Sequence, residues 1–270
     1  HYKSMRKKIN PVFIFTVLAT IVGILIINRP KFEDHPVKTK QNPVQVETQA
    51  LHNINKPIID VSGWQRPSEI NYDILSQNIS GAIVRVHYGG QVSEENDAAY
   101  KNGVDKAYKE HITEFQKRNV PVAVYAYVAG KNVEEMEKAA EAFYNAASPY
   151  NPSYYWLDVE EKTMSDMNKG VEAFRAKLAS LGAKNIGIYV GVYFMEEHSI
   201  SVDNYSAIWI PSYGTNSGYY ESAPKTDLDY DLHQYTSHGN LGGFEHHLDL
   251  NLISSSKNKE ETFRKLFLNP

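Results

Sequence analysis

Two carboxylic acids, Asp158 and Glu160, end an otherwise apolar segment that reads YYWLDVE from Tyr154 to Glu160. In a β-strand, side chains two residues apart point to the same face, and the strand rise places their Cα atoms ~6.6 Å apart. Two like charges at the mouth of an apolar strand are costly to bury, and they raise one of the two pKa values. Such a pair holds one proton and one negative charge, which is the arrangement that glycoside hydrolysis uses.

Two more acids stand in short apolar segments that could be strands. Asp60 lies in IIDVS (58–62) and Asp249 in LDLNL (248–252). In barrels of alternating strands and helices, chemistry is located at the carboxyl ends of the strands. A single acid at a strand end is also common as a helix cap or in a loop salt bridge. The four acids together therefore indicate a site more strongly than any one of them.

The elements that must position these acids can be read from the hydrophobic pattern. Helical periodicity covers 70–77, 97–118, 133–147 and 166–181,. After Val190 the segments shorten and Gly, Ser, Asn and Tyr dominate, so long helices no longer fit. Eight strands with helices mainly in the first half predict an α/β fold, an irregular (β/α) barrel. An open doubly wound sheet is the alternative, although no glycine-rich phosphate loop follows the first strand. The predicted strands are 58–62, 82–87, 121–128, 154–160, 186–190, 207–213, 231–235 and 248–252.

Six short motifs occur in one order along the chain: IDVS with WQ (59–62, 64–65), Arg85 before YGG (88–90), WLDVE (156–160), IWI (208–210) with Tyr213, QY (234–235) and LDLN (248–251). With these motifs the chain resembles the lysozymes of glycoside hydrolase family 25, from about residue 57 to residue 252. The resemblance implies a flattened barrel of about eight strands, cleavage of the β-1,4 bond between N-acetylmuramic acid and N-acetylglucosamine, and no metal or other cofactor. It also implies that Glu160 is the catalytic acid and that Asp60, Asp158 and Asp249 are its associated aspartates.

Each acid has an expected role. Glu160 is expected to hold a proton near neutral pH and to deliver it to the leaving sugar oxygen. Asp158 is expected to stay ionised, and either to stabilise positive charge on the sugar or to orient the substrate's own N-acetyl group; the sequence does not choose between these. Asp60 and Asp249 would fix the electrostatic field and the hydrogen bonds around the pair. The candidates for substrate binding, with plain core packing as the alternative for the aromatic residues, are Tyr125, Tyr127, Trp209, Tyr213, Tyr235, Arg85 and Gln234.

The composition excludes some classes of protein and favours sugar binding. The net charge is −4, and residues 1–50 carry 8 Lys and Arg against 3 Asp and Glu, so the rest of the chain is strongly acidic. A nucleic-acid partner is therefore not expected. The absence of cysteine excludes a cysteine nucleophile and a thiolate metal site. The chain has 19 tyrosines, whose rings can stack on sugar faces or pack in a core.

The first 56 residues predict how the catalytic domain is attached to the cell. Residues 1–28 form a basic leader with an apolar run from 12 to 27, which is typical of a secretory signal or a membrane anchor. Small residues for signal cleavage are missing after the run, so we favour an N-terminal, single-pass anchor with the catalytic domain outside the cell; a cleaved leader would give a secreted protein. Residues 1–4 precede Met5, where the natural chain is expected to start. Residues 29–56 read as an extended tether, and 57–270 as the catalytic domain.

The function predicted from the sequence is thus a membrane-tethered cell-wall hydrolase that acts on the glycan strand of peptidoglycan. Two alternatives stay open, a non-catalytic protein that binds cell-wall glycan and a hydrolase of another N-acetylglucosamine polymer such as chitin. The process served also stays open between lysis, growth remodelling and opening a passage for a secretion or conjugation apparatus.

Overall fold

The short apolar segments of the sequence form the strands of a closed barrel in the structure, a computed structural model that describes residues 41–269. Strands β1 to β7 pair in parallel with their chain neighbours, and β8 closes the barrel by pairing antiparallel to both β7 and β1. This confirms the predicted irregular barrel. The strands are β1 (Ile58–Val61), β2 (Gly81–His87), β3 (Val122–Tyr127), β4 (Tyr155–Val159), β5 (Ile186–Val190), β6 (Ala207–Pro211), β7 (Leu232–Leu241) and β8 (Phe244–Ile253).

The long helices belong to the first half of the barrel, as the sequence predicts. The described helices are α1 (Pro43–His52), α2 (Tyr72–Leu75), α3 (Tyr108–Lys117), α4 (Val133–Ala147), α5 (Met167–Ser180), α6 (Val192–Glu197) and α7 (Lys259–Phe263), with short 3₁₀ turns at Pro67–Glu69 and Ser148–Tyr150 and a π-helical turn at Arg264–Leu268. Between β5 and β8, all of which is described, α6 is the only helix, and β7 and β8 form a hairpin.

One predicted helix, 97–118, is only half helical. Its first part is a loop, and α3 begins at Tyr108. The loop is held by Asp105, whose carboxylate is fully buried and accepts hydrogen bonds from the backbone N–H groups of Gly63 and Ala107 and from the side chain of Arg85. These contacts of Asp105 hold the first part of the segment as a loop despite its helical periodicity. The spacing of residues in the sequence does not reveal such contacts.

Alternation along the strands divides the core into an inner and an outer layer. On β4, Trp156 points into the barrel, whereas Leu157 and Val159 pack in the layer between the strands and the helices. The amino ends of the strands are closed from below by the C-terminal helical turns, where Phe263 and Phe267 join the inner cluster. Polar residues on the inner face therefore come together only at the opposite, carboxyl ends of the strands.

The predicted extended tether, 29–56, is wrong for residues 43–52, which form α1. The helix begins after Asn42, whose side chain caps it, and it buries Val46 and Ala50. The side chain of Gln49 donates to the carbonyl of Arg118, and Glu47 pairs with Arg264. Two small apolar residues spaced i, i+4 make a narrow stripe in a polar segment, and this stripe is too weak a signal to distinguish a docked helix from a tether.

The predicted membrane anchor and the first part of the tether lie outside the described residues. Within 41–269, none of the helices combines the length and the apolar character that crossing a bilayer requires.

Candidate active site

The carboxyl ends of the strands surround an acidic pocket of about 190 Å³. Eight of the eleven predicted site residues line it, together with Tyr189, which the sequence analysis missed. Tyr189 stands at the end of β5 on its inward face, so strand alternation would have found it. The lining residues are Asp60, Tyr125, Asp158, Glu160, Tyr189, Trp209, Tyr213, Gln234 and Asp249.

One pair of acids, Asp60 and Asp249, is formed by directly opposite residues of β1 and β8. Burial, repulsion from Asp60 and the hydrogen bond between the two carboxyls raise the pKa of Asp249 to about 9. Burial also raises the pKa of Asp60, but hydrogen bonds from Asn251, Gln234 and Asp249 oppose that effect. Protonated Asp249 therefore donates to Asp60, and this pair holds one proton.

A network of neutral side chains fixes Asp60. Its Oδ2 accepts from Gln234 Nε2 at 2.9 Å and from Asn251 Nδ2 at 2.8 Å. Gln234 Oε1 accepts from the hydroxyls of Tyr189, at 2.8 Å, and Tyr213, at 2.5 Å, so its amide can present only its NH₂ group to the acid. Trp209 Nε1 orients Asn251 in the same way at 2.8 Å. Asn251, two residues after Asp249 on the same strand face, is a second residue that alternation would have indicated.

The other pair, Asp158 and Glu160, is less constrained. Asp158 is 8% exposed and Glu160 is exposed. Burial, then repulsion and hydrogen bonding from Glu160, raise the pKa of Asp158 well above its usual range. The sequence analysis expected Asp158 to stay ionised, whereas its burial in the barrel favours the protonated form. The depth of Asp158 cannot be read from two residues on one strand face. Asp158 Oδ1 has no hydrogen-bond partner.

Arg85 lies below the pocket and does not line it, although the sequence analysis placed it among the substrate-binding residues. It is 7% exposed, and its Nε donates to Asp105 Oδ2 at 2.9 Å. Its positive charge lowers the pKa of Asp158, partly opposing the effect of burial. Arg85 is thus placed to influence the acid pair through the electrostatic field.

Two predicted tyrosines also lie away from the pocket lining. Tyr127 is next to Asp158 in the sheet, but its hydroxyl donates to Glu161 at 2.8 Å and its ring stacks on Tyr88, with centroids 5.0 Å apart. Tyr235 points outward and packs in the outer core layer. Tyr235 is therefore a core residue, which was the alternative to substrate binding given for the aromatic residues.

The acids of the pocket interact in pairs, Asp60 with Asp249 and Asp158 with Glu160. Among residues 41–269 no group of three or more His, Asp or Glu side chains is arranged to hold a metal ion.

Comparison with known proteins agrees with this geometry. The model of the glycosyl hydrolases family 25 matches residues 59–244. The structure of GHIP, a glycosyl hydrolase 25 of Streptococcus pneumoniae described as a virulence factor participating in host cell invasion, is 76% identical; the match covers 85% of this chain and 100% of that one, with a TM-score of 0.83. A comparison with curated proteins found no match.

More distant structures share the fold. The catalytic domain of the endolysin Ply40 from bacteriophage P40 of Listeria monocytogenes is 22% identical over 77% of this chain and 96% of its own, with a TM-score of 0.64. The lysozyme from Streptomyces coelicolor is 18% identical over 78% and 96%, with a TM-score of 0.58.

The barrel and the family match together define a glycoside hydrolase. More particularly, the chain belongs to glycosyl hydrolase family 25 and is a lysozyme-like hydrolase.

Proposed function

We propose that the protein cleaves the β-1,4 bond between N-acetylmuramic acid and N-acetylglucosamine in peptidoglycan. The observation that carries the proposal is the acid pair at the end of β4, in which Asp158 is buried, with its pKa raised, and adjoins an exposed Glu160 at the mouth of the pocket. The relatives named as an endolysin and a lysozyme support the choice of substrate.

The pair supplies the proton for bond cleavage. When a sugar covers Glu160, the glutamate loses water and its charged form becomes costlier, so the shared proton moves from Asp158 to Glu160. Glu160 then protonates the glycosidic oxygen, the bond to the anomeric carbon breaks, and the leaving sugar departs with a hydroxyl group. Glu160, now ionised, accepts a proton from the water that completes hydrolysis.

Asp158 orients the substrate's N-acetyl group in this proposal. After its proton has moved to Glu160, Asp158 is ionised and both of its oxygens are acceptors. Asp158 lines the pocket, and one of its carboxylate oxygens accepts a hydrogen bond from the N-acetyl N–H. This contact directs the acetyl oxygen toward the anomeric carbon as positive charge develops there.

The aromatic part of the pocket lining offers contacts for the sugar rings and consists of Tyr125, Tyr189, Trp209 and Tyr213. Gln234, Asp60 and Asp249 hold the opposite side of the pocket in one arrangement. Their role in the proposal is to keep the field and the hydrogen bonds around the β4 pair constant.

We further propose that residues 1–28 tether the domain to the outer face of the cell membrane. Support comes from the basic residues before the apolar run 12–27 and from the lack of small residues for signal cleavage after it,. Fractionation of cells that express the full chain tests this. Recovery with the membranes, with Met5 onward retained, is expected, whereas a soluble form that begins near residue 30 would contradict it.

The test of the activity is the release of reducing ends from purified peptidoglycan, with identification of the sugar that carries them. Muramic acid at the new reducing end is the expected result. Glycan binding without any new reducing ends would instead indicate a glycan-binding protein. Equal cleavage of chitin would indicate a hydrolase of N-acetylglucosamine polymers in general.

A further inference from the structure

A second cavity of about 450 Å³ lies beside the acidic pocket, at the carboxyl ends of β2 and β3 and against α4. It is larger than the acidic pocket, and its wall combines two kinds of surface. Gln91, Asn102 and Lys131 offer polar groups, and Ala129, Ala139 and Ala142 offer methyl groups. Neither the expected chemistry nor the binding of the cleaved sugars uses any of these side chains.

Lys131 leaves a positive charge at this cavity. Among residues 41–269 it makes no ion pair, whereas Lys138, which also lines the cavity, pairs with Glu134 at 2.6 Å. The acid beside them, Glu135, accepts a hydrogen bond from the backbone N–H of Lys131 at 2.9 Å as part of the start of α4. Lys131 is therefore available to pair with a carboxylate of a ligand.

His87 forms the buried back of the cavity. Burial lowers its pKa to about 4, so the ring is neutral near neutral pH. Its Nδ1 accepts from the backbone N–H of Gly89 at 2.7 Å, which places the proton on Nε2. The ring also interacts with the backbone of Asn102, so His87 shapes the wall of the cavity without adding a charge to it.

The two cavities are lined by residues close together in the segment that contains β3. Gly89, with φ of +73°, brings the loop after β2 so close to β3 that a Cβ atom there would lie 1.6 Å from the carbonyl oxygen of Tyr127. Tyr125 lines the acidic pocket and Ala129 lines the second cavity, only four residues later. At the strand rise these residues are at most ~13 Å apart. An extended peptide of about five residues spans up to ~17 Å, so a peptide attached to a sugar in the pocket can reach the cavity.

We propose that this cavity binds the peptide stem that N-acetylmuramic acid carries on its lactyl group. A stem carboxylate faces Lys131, the peptide amides hydrogen-bond to Gln91 and Asn102, and the alanine side chains of the stem pack on the alanine surface. The inference rests on the proposed cleavage of peptidoglycan and adds that the enzyme distinguishes glycan strands with stems from bare strands.

The test compares two soluble substrates, uncross-linked glycan strands with intact stems and the same strands after an amidase has removed the stems. The measured quantity is the ratio of kcat/KM on stem-bearing strands to kcat/KM on bare strands. For the wild type we expect a ratio of about ten, as for one charge-assisted hydrogen bond. Lys131→Glu should bring the ratio close to one.

A matched charge reversal and a cavity-filling variant complete the test. Lys184→Glu changes an exposed lysine just before β5, at the opposite end of the barrel, and should keep the wild-type ratio. Ala142→Phe, on the half-buried face of α4, fills the cavity without changing charge and should also lower the ratio, with thermal melting as the check on folding.

The outcomes separate the two proposals. A wild-type ratio of one, or a preference that both Lys131→Glu and Ala142→Phe retain, would overturn the stem site while leaving cleavage of the glycan intact. Failure of the wild type to release reducing ends from either substrate would overturn the proposed function, and the stem site with it.

Discussion

The two acid pairs of the pocket have similar chemistry and opposite surroundings. Asp60, on the side of β1 and β8, accepts hydrogen bonds from Gln234 and Asn251 as well as from protonated Asp249. Asp158, on β4, has one oxygen without any partner, and its neighbour Glu160 is open to solvent. Both pairs hold one proton, but only the first is surrounded by neutral groups that fix where it lies.

This difference suggests that the two acid pairs have different roles in the proposed mechanism. A proton held by several oriented donors is costly to move, because each donor would have to be reoriented. In the proposed mechanism, the proton shared between the buried and the exposed carboxyl moves when the exposed one is covered. The proposal thus gives the barrel a rigid half that keeps its protonation state and a responsive half that changes it when substrate binds.

The sharpest test of the comparison is to remove the exposed acid of the responsive pair. Glu160→Gln keeps the shape and removes the proton donor, so we expect kcat to fall by ~10²–10⁴-fold. Folding should be unharmed because Glu160 is exposed and glutamine has the same shape. The measurement is reducing-end release together with thermal melting. Glu161→Gln, at the next carboxylate and outside the pocket lining, should keep most of its activity; wild-type activity in Glu160→Gln would refute the acid assignment.

The next test removes the buried acid of the same pair. Asp158→Asn cannot pass a proton to Glu160 or become ionised, and we expect activity to fall by about 10²-fold. The melting temperature should change little, because the amide has the shape of the carboxyl group and its N–H can keep the hydrogen bond with Glu160. Unchanged kcat in this variant would show that the proton on Glu160 does not come from Asp158.

Much of the fold could be predicted from the sequence, because strand alternation and helix periodicity are local signals. All eight strands were placed, and 133–147 matches α4. The depth of Asp158, the pairing of Arg85 with Asp105 and the docking of α1 could not be predicted, because each depends on contacts between residues distant in the chain. Eight of the predicted site residues line the pocket, while Arg85, Tyr127 and Tyr235 do not.

A third test removes hydrogen bonds around Asp60 without changing any of the four acids. Asn251→Leu removes a donor to Asp60 and the acceptor of Trp209 Nε1, both fully buried. We expect the free energy of unfolding to fall by about 2 kcal/mol. Activity should fall by less than in Asp158→Asn, since the proton of the β4 pair is intact. Urea unfolding and reducing-end release check both effects; Trp209→Phe, which keeps both donors to Asp60, should lose less stability.

The last test concerns how stability depends on pH, and it probes the proton that the rigid pair holds. The pKa of Asp249 rises on folding from its ordinary value of 3.8 to about 9. Between these values the native state binds more protons than the unfolded state, so the free energy of unfolding falls as pH rises. Asp249→Asn does not titrate and should escape this loss. The melting temperature of this variant should therefore rise relative to that of the wild type as the pH increases from 5 to 9. Melting curves for the two proteins that stay parallel over this range would show that the proton on Asp249 is not held by the fold.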